Sequence, residues 1–119
     1  MKKEDKFYLL EVDFMDLNGK WKLYYAPEGE NKLSSVFDLK KSGIPSVDAT
    51  VPGNVELDLS KAGILPKDLY MGENIREAEK FETYDWWYET EFLASDAPDD
   101  EHKVILHFGA VDCVADYFL

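Results

Sequence analysis

Between positions 73 and 91 the chain carries Glu73, Glu77, Glu79, Glu82, Asp85, Glu89 and Glu91. Paired carboxyl groups are the chemistry of glycosidic bond cleavage. They stand about 5 Å apart in retaining enzymes and about 6.5–9.5 Å apart in inverting ones. A run this dense places some pair at such a distance by chance. Glu89 and Glu91 share one face of a strand, where solvated or cross-strand pairing is the simpler role. Nucleophilic chemistry fares no better. Cys113 has no placed histidine, His102 lies in a turn and His107 in a strand interior, and all three read as structural. There is no glycine-rich phosphate loop and no His/Cys metal spacing. Asp96, Asp99, Asp100 and Glu101 supply oxygen ligands of the kind calcium takes, but a solvated acidic turn explains them as well. The expectation is therefore no catalytic residue, no metal and no cofactor in this chain.

The element that would position most of these groups is Asp85-Trp86-Trp87-Tyr88-Glu89-Thr90-Glu91-Phe92. Trp86, Tyr88, Thr90 and Phe92 alternate with Asp85, Trp87, Glu89 and Glu91, the pattern of a strand with one face in a core. Trp87 is the exception, an indole on the acidic face. It packs either under a loop or against a part of the protein outside this sequence.

Other strands follow the same rule. Phe7 to Phe14 is apolar-rich and reads as a first strand. Lys20 to Tyr25 alternates, with Trp21, Leu23 and Tyr25 on one face, and Pro27 and Gly29 break it. Residues 31–47 show mixed spacing, with a loop at Ser42-Gly43-Ile44-Pro45. Asp48 to Val51 is a short strand closed by Pro52-Gly53. Asn54 caps a short helix over Val55 to Ala62, and Gly63 sits where a helix-ending glycine belongs. An irregular stretch from Lys67 to Tyr84 is too long for a plain connection, hence a structured or functional loop. Lys103 to Phe108 and Cys113 to Leu119 alternate as two further strands, with Cys113 as a small core residue. The core expected from this phase is Trp21, Trp86, Tyr88, Phe92, Leu106 and Phe108. Short strands separated by long excursions favour an all-β fold, an antiparallel β-sandwich with jelly-roll connections.

Composition narrows the partners. The 119 residues suffice for one domain with a core. A net charge of −12, from 25 acidic against 13 basic residues, argues against nucleic acid and anionic membrane surfaces. An uncharged partner such as a sugar is compatible with it, though excess acid is also simply solubilising. One cysteine excludes an intrachain disulfide. After Met1-Lys2-Lys3 come Glu4, Asp5 and Lys6, where a signal peptide would turn apolar, so a cytoplasmic location is expected.

Six segments in order then carry a resemblance. They are Asp16-Leu17-Asn18-Gly19-Lys20-Trp21, Ala49-Thr50-Val51-Pro52-Gly53-Asn54-Val55, Asp58-Leu59 with Gly63-Ile64, Leu69-Tyr70-Met71-Gly72-Glu73-Asn74, Asp85-Trp86-Trp87-Tyr88 with Phe92, and Leu106-His107-Phe108-Gly109-Ala110-Val111-Asp112. Together they resemble the N-terminal sugar-binding domain of glycoside hydrolase family 2, and within it the β-mannosidase-like branch. Asp68-Leu69-Tyr70 departs from the family, which often has a proline in the middle. The resemblance implies a galactose-binding-domain-like jelly roll. In full-length relatives it precedes an immunoglobulin-like sandwich and a TIM barrel with two catalytic glutamates. That barrel is not in this sequence. The expectation is thus a partial N-terminal domain over residues 16–119, truncated at its C-terminal side, with residues 1–15 as an extension or first strand. Its partners would be the remaining domains of the same polypeptide and possibly carbohydrate.

Asn74 matches an asparagine of the family's motif, and the resemblance implies that it faces the sugar pocket of the intact enzyme. An amide suits that place because it both donates to and accepts from hydroxyls. Its bland role is to hold its own loop. Glu73 and Arg76 are expected to support that loop, and Tyr70 and Trp87 to pack between domains. A free-standing carbohydrate-binding module and a purely structural sandwich are the alternatives.

Overall fold

The structure, a computed structural model, describes residues 14–93, 99–101 and 103–119. Its centre is β1, Gly19–Pro27, the alternating segment anticipated around Trp21. It is flanked by β2, Ser46–Val51, and β3, Tyr84–Glu89, in a three-stranded antiparallel sheet of order β2-β1-β3. The register pairs Trp21 with Ala49, Leu23 with Val47 and with Tyr88, and Tyr25 with Trp86. Because side chains alternate, one face collects Trp21, Leu23, Tyr25, Val47, Ala49, Trp86 and Tyr88. The other carries Lys22, Tyr24, Ala26, Asp48, Asp85, Trp87 and Glu89.

The first face meets a core of Leu59, Leu65 and Leu69, against which Tyr25, Val47, Ile64, Ala78, Phe81 and Trp86 pack. Leu59 belongs to α2, Val55–Lys61. Asn54 begins this helix by accepting a hydrogen bond from the Leu57 amide at 2.9 Å. Its end is a Schellman motif. The Ile64 amide donates to the Leu59 carbonyl at 2.9 Å and the Gly63 amide to the Ser60 carbonyl at 3.1 Å. Gly63 has φ of 78°, where a side chain is strained. Gly53, in the turn between β2 and α2, is constrained differently: a Cβ there would strike the Thr50 carbonyl.

The second face is closed by α1, Val36–Lys41, which sequence spacing leaves unassigned. Its signal is a cap rather than a periodicity. Ser35 Oγ accepts from the Asp38 amide at 3.1 Å, and Lys40 and Lys41 occupy the last turn, where the helix dipole favours them. Six residues give too short a window for the 3.6 period to emerge. Lys40 ties this helix to Glu89 of β3 at 3.1 Å and to Glu91 just beyond the strand. On this face Tyr24 and Ala26 are nearly buried, as is Leu39 of α1, while Leu23, on the first face, is fully buried.

Several sequence expectations are corrected. β3 ends at Glu89 rather than Phe92, and Phe92, Leu106, Phe108 and Tyr88 are exposed rather than core. Residues 103–108 and 113–119 alternate as strands but form none. Alternation makes a strand only where a neighbour completes the ladder and one face is covered. Neither condition is met, since Ile105 is 82% exposed and Val114 91%. Cys113 is exposed for the same reason and is not a core residue. Within this stretch Phe108 and Tyr117 hold each other, ring centroids 4.2 Å apart. Of the expected first strand only Phe14 is described, and it is exposed; the rest, like Asp96 and His102, lies outside the described residues.

Candidate functional site

The loop between α2 and β3 is built from the core outward. Leu65 and Leu69 are buried and pin its first half. Ser60 Oγ reaches across to donate to the Pro66 carbonyl at 2.6 Å. Asp68 then organises a tight turn, accepting from the Tyr70 amide through its side chain at 3.2 Å. Asn74 closes the loop. Its side-chain amide donates to the Asp68 carbonyl at 2.8 Å, and its backbone amide donates to Met71 at 3.2 Å. One amide hydrogen is thus spent locally, while the carbonyl oxygen and the second hydrogen remain for another partner.

From Asn74 the chain runs as a 3₁₀ helix to Phe81. Glu73–Arg76 and Glu77–Lys80 pairs, at 3.4 and 3.8 Å, lie along it at the i,i+3 spacing that a three-residue turn eclipses. Glu73, Asn74, Arg76 and the fully projecting Tyr70 therefore sit on one loop. Trp87 does not join them. It lies on the opposite face of the sheet, half-buried and in register with Tyr24.

The carboxylate run is largely taken up by structural partners. Asp85 accepts from the Gly29 amide at 3.0 Å. Glu89 accepts from the Tyr24 hydroxyl at 3.1 Å and shares Lys40 with Glu91. Hydrogen bonding to these two carboxylates raises the Lys40 pKa, and Lys40 in turn lowers that of Glu91. Burial, with the Glu89 hydrogen bond and charge, raises the Tyr24 pKa. Among the described residues no group of three His, Cys, Asp or Glu is arranged to hold a metal ion.

Two features escape sequence reasoning. Asp58, in the first turn of α2, is only 2% exposed. Its Oδ1 accepts from the Thr50 amide at 3.1 Å, fastening α2 to β2, while Oδ2 is buried with no hydrogen-bond partner. Desolvation raises its pKa, opposed by the Thr50 bond and by Lys61. Although Tyr88 is 38% exposed, partial desolvation, with the charges of Asp58 and Glu56, pushes its hydroxyl up to about 12. The sequence signals for Asp58 are its place beside Leu59 and its membership of a segment that carries the family resemblance, and neither says that it is buried.

The second feature is a shallow hollow of about 260 Å³ at the end of β1. Tyr25 and Tyr84 line it from the sheet, Glu30 and Asn31 from one turn, and Ser42 to Pro45 from the loop before β2. Its residues are scattered over four segments, so no motif announces them.

A search of curated proteins found no match to this chain, and a search of solved structures found none either. The family model described as glycosyl hydrolase 2 galactose-binding domain-like matches residues 25–119, from the last residues of β1 through β3 and onward. A small antiparallel sheet with few helices is consistent with a β domain of that kind. With most of its length matched, the chain belongs to the glycosyl hydrolase 2 galactose-binding domain-like family.

Proposed function

We propose that this chain is an accessory domain of a β-mannosidase-like exo-glycosidase, packing on a catalytic barrel and helping to wall its sugar pocket. The observation that carries the reading is the family match over residues 25–119. The domain's work is positional. Asn74, Glu73 and Arg76 sit on a loop pinned at both ends, which is how a rigid scaffold presents binding groups. The free oxygen and hydrogen of the Asn74 amide meet a substrate hydroxyl, while the Glu73–Arg76 pair steadies the backbone beside it. Tyr70 and Trp87 pack against neighbouring domains. The apolar residues of 103–119 are covered by other parts of the same polypeptide, which complete the second sheet of a sandwich.

The test is hydrolysis of chromogenic glycosides by the natural polypeptide that contains this domain, beside the 119-residue chain alone. The larger polypeptide is expected to cleave a β-mannoside in preference to a β-galactoside or β-glucoside. The chain alone is expected to cleave none. Turnover by the isolated chain, or a parent polypeptide inactive on every glycoside, rejects the reading.

A further inference from the structure

We propose that the charge pattern of residues 73–82 fixes the 3₁₀ form of Asn74–Phe81, and that this helix is a strut setting the reach of the Asn74 loop, with Glu77 and Lys80 as its positioning residues. Eight residues make a long 3₁₀ helix, since poor hydrogen-bond geometry usually limits such runs to about three or four. The sequence supplies the reason. Taken in threes, it forms one row of Ile75, Ala78 and Phe81, a second of Asn74, Glu77 and Lys80, and a third of Glu73, Arg76, Glu79 and Glu82. Residues three apart eclipse one another in a 3₁₀ helix. The first row is apolar, and its Ala78 and Phe81 pack against the leucine core. The other two hold the Glu77–Lys80 pair at 3.8 Å and the Glu73–Arg76 pair at 3.4 Å. The backbone keeps the same spacing. The Arg76 amide donates to the Glu73 carbonyl at 2.9 Å and the Glu82 amide to the Glu79 carbonyl at 3.1 Å.

An α-helix serves the same residues badly. Positions four apart become neighbours there, which sets Glu73 beside Glu77 and Arg76 beside Lys80. Both pairs are like-charged and oppose that form. In the 3₁₀ helix their members stand about a third of a turn apart around the axis. The choice of helix matters because both ends are fastened. At one end the Asn74 side-chain amide donates to the Asp68 carbonyl at 2.8 Å. At the other the Phe81 ring lies edge-on to Tyr25 at 6.1 Å and to Tyr84 at 5.0 Å. Eight residues span about 16 Å as a 3₁₀ helix and about 12 Å as an α-helix. Conversion to α thus draws Asn74 back toward Phe81 by about 4 Å and off the Asp68 carbonyl. The catalytic consequence rests on the accessory-domain reading, whereas the charge-set helix and its length do not.

The test exchanges one pair. Glu77→Lys with Lys80→Glu keeps composition, net charge and an opposite pair three apart, but turns both like-charged pairs four apart into opposite ones. Two repulsions become two attractions, which moves the balance toward α about tenfold. In Overhauser spectra of the chain, the native segment should show contacts from each Hα to the amide two residues on and none four residues on. The exchanged variant should gain the contacts four residues on, and its Asn74 side-chain amide should exchange faster. Glu77→Asp with Lys80→Arg keeps the charge pattern and should match the native chain. Lys80 also stands over the Phe81 ring at 5.3 Å. Lys80→Gln removes that contact but leaves Glu73 opposed to Glu77, so it should keep the 3₁₀ contacts. In the natural polypeptide the exchanged variant should lower kcat/KM about tenfold, while the conservative one retains it. Persistence of the 3₁₀ contacts in the exchanged variant overturns the strut, and so does conversion to α with parental kinetics. A parent inactive on every glycoside rejects the accessory-domain reading instead, and the Overhauser contacts with the Asn74 exchange rate then decide the strut alone.

Discussion

Asp58 shows how one buried carboxylate can be structural and costly together. Its Oδ1 satisfies the Thr50 amide, yet Oδ2 is sealed from water without a partner. Burial raises its pKa from the ordinary 3.8. The folded state therefore binds the Asp58 proton more tightly than the unfolded state does. Stability from this group is fully present below the unfolded value and falls as pH rises through the raised one. Thermal melts at successive pH values from 3.8 upward should show that decline, and Asp58→Asn should flatten it, because the amide oxygen still accepts from Thr50 but no longer titrates. An unchanged slope would mean that Asp58 is not the group responsible. Asn74 calls for a different readout. Its local bond to Asp68 predicts a modest stability loss for Asn74→Ala, about 0.5–1.5 kcal/mol. If its remaining amide valences also meet substrate, kcat/KM in the intact enzyme falls about tenfold beyond what the melt explains. Kinetics at the parental value would confine Asn74 to holding its loop.

At the scale of elements, α2 is specified at both ends. Gly63→Ala keeps the helix but forces a side chain into positive φ at the Schellman turn, so a loss of about 1 kcal/mol is expected by urea melt. A neutral outcome would show that the turn relaxes into another geometry. The same element shows what the sequence makes legible. The Asn54 cap and the Gly63 stop are local chemistry, and the structure places both as the residue types require. β1 and the phase of β3 were equally readable, since Trp86 does pack on the leucine core. α1 was not, because one capping serine and a six-residue span offer no period. Nor could pattern alone tell that Val104, Leu106 and Phe108 lack a strand beside them, because alternation encodes a preference and pairing is a property of the assembled sheet. The site divides likewise. Asn74, Glu73 and Arg76 fall on one pinned loop, as contiguous residues can. The hollow joins Tyr25, Asn31 and Tyr84 only through the fold.

The whole molecule is far from a closed globule. Its radius of gyration is 19.8 Å, whereas a compact domain of this length measures about 13–14 Å. The difference lies in where apolar surface goes. Ile105, Val114 and Leu119 stand almost wholly in water, with Phe108, Val111 and Phe118 about half exposed. In the sheet, β2 and β3 each have one edge without a strand among the described residues. Such edges and patches favour association with any chain that offers the same features, including a second copy. The net charge of −12 opposes this through repulsion that reaches about 10 Å at 0.1 M salt and about 3 Å at 1 M. The isolated chain should therefore self-associate with rising concentration, and more strongly as salt screens the charge. Sedimentation velocity across a tenfold concentration range, at low and high sodium chloride, measures both trends. Weight-average mass above that of the 13.7 kDa monomer, growing with salt, is the expected outcome. A salt-independent monomer that melts cooperatively would show instead that residues 103–119 find cover within their own chain.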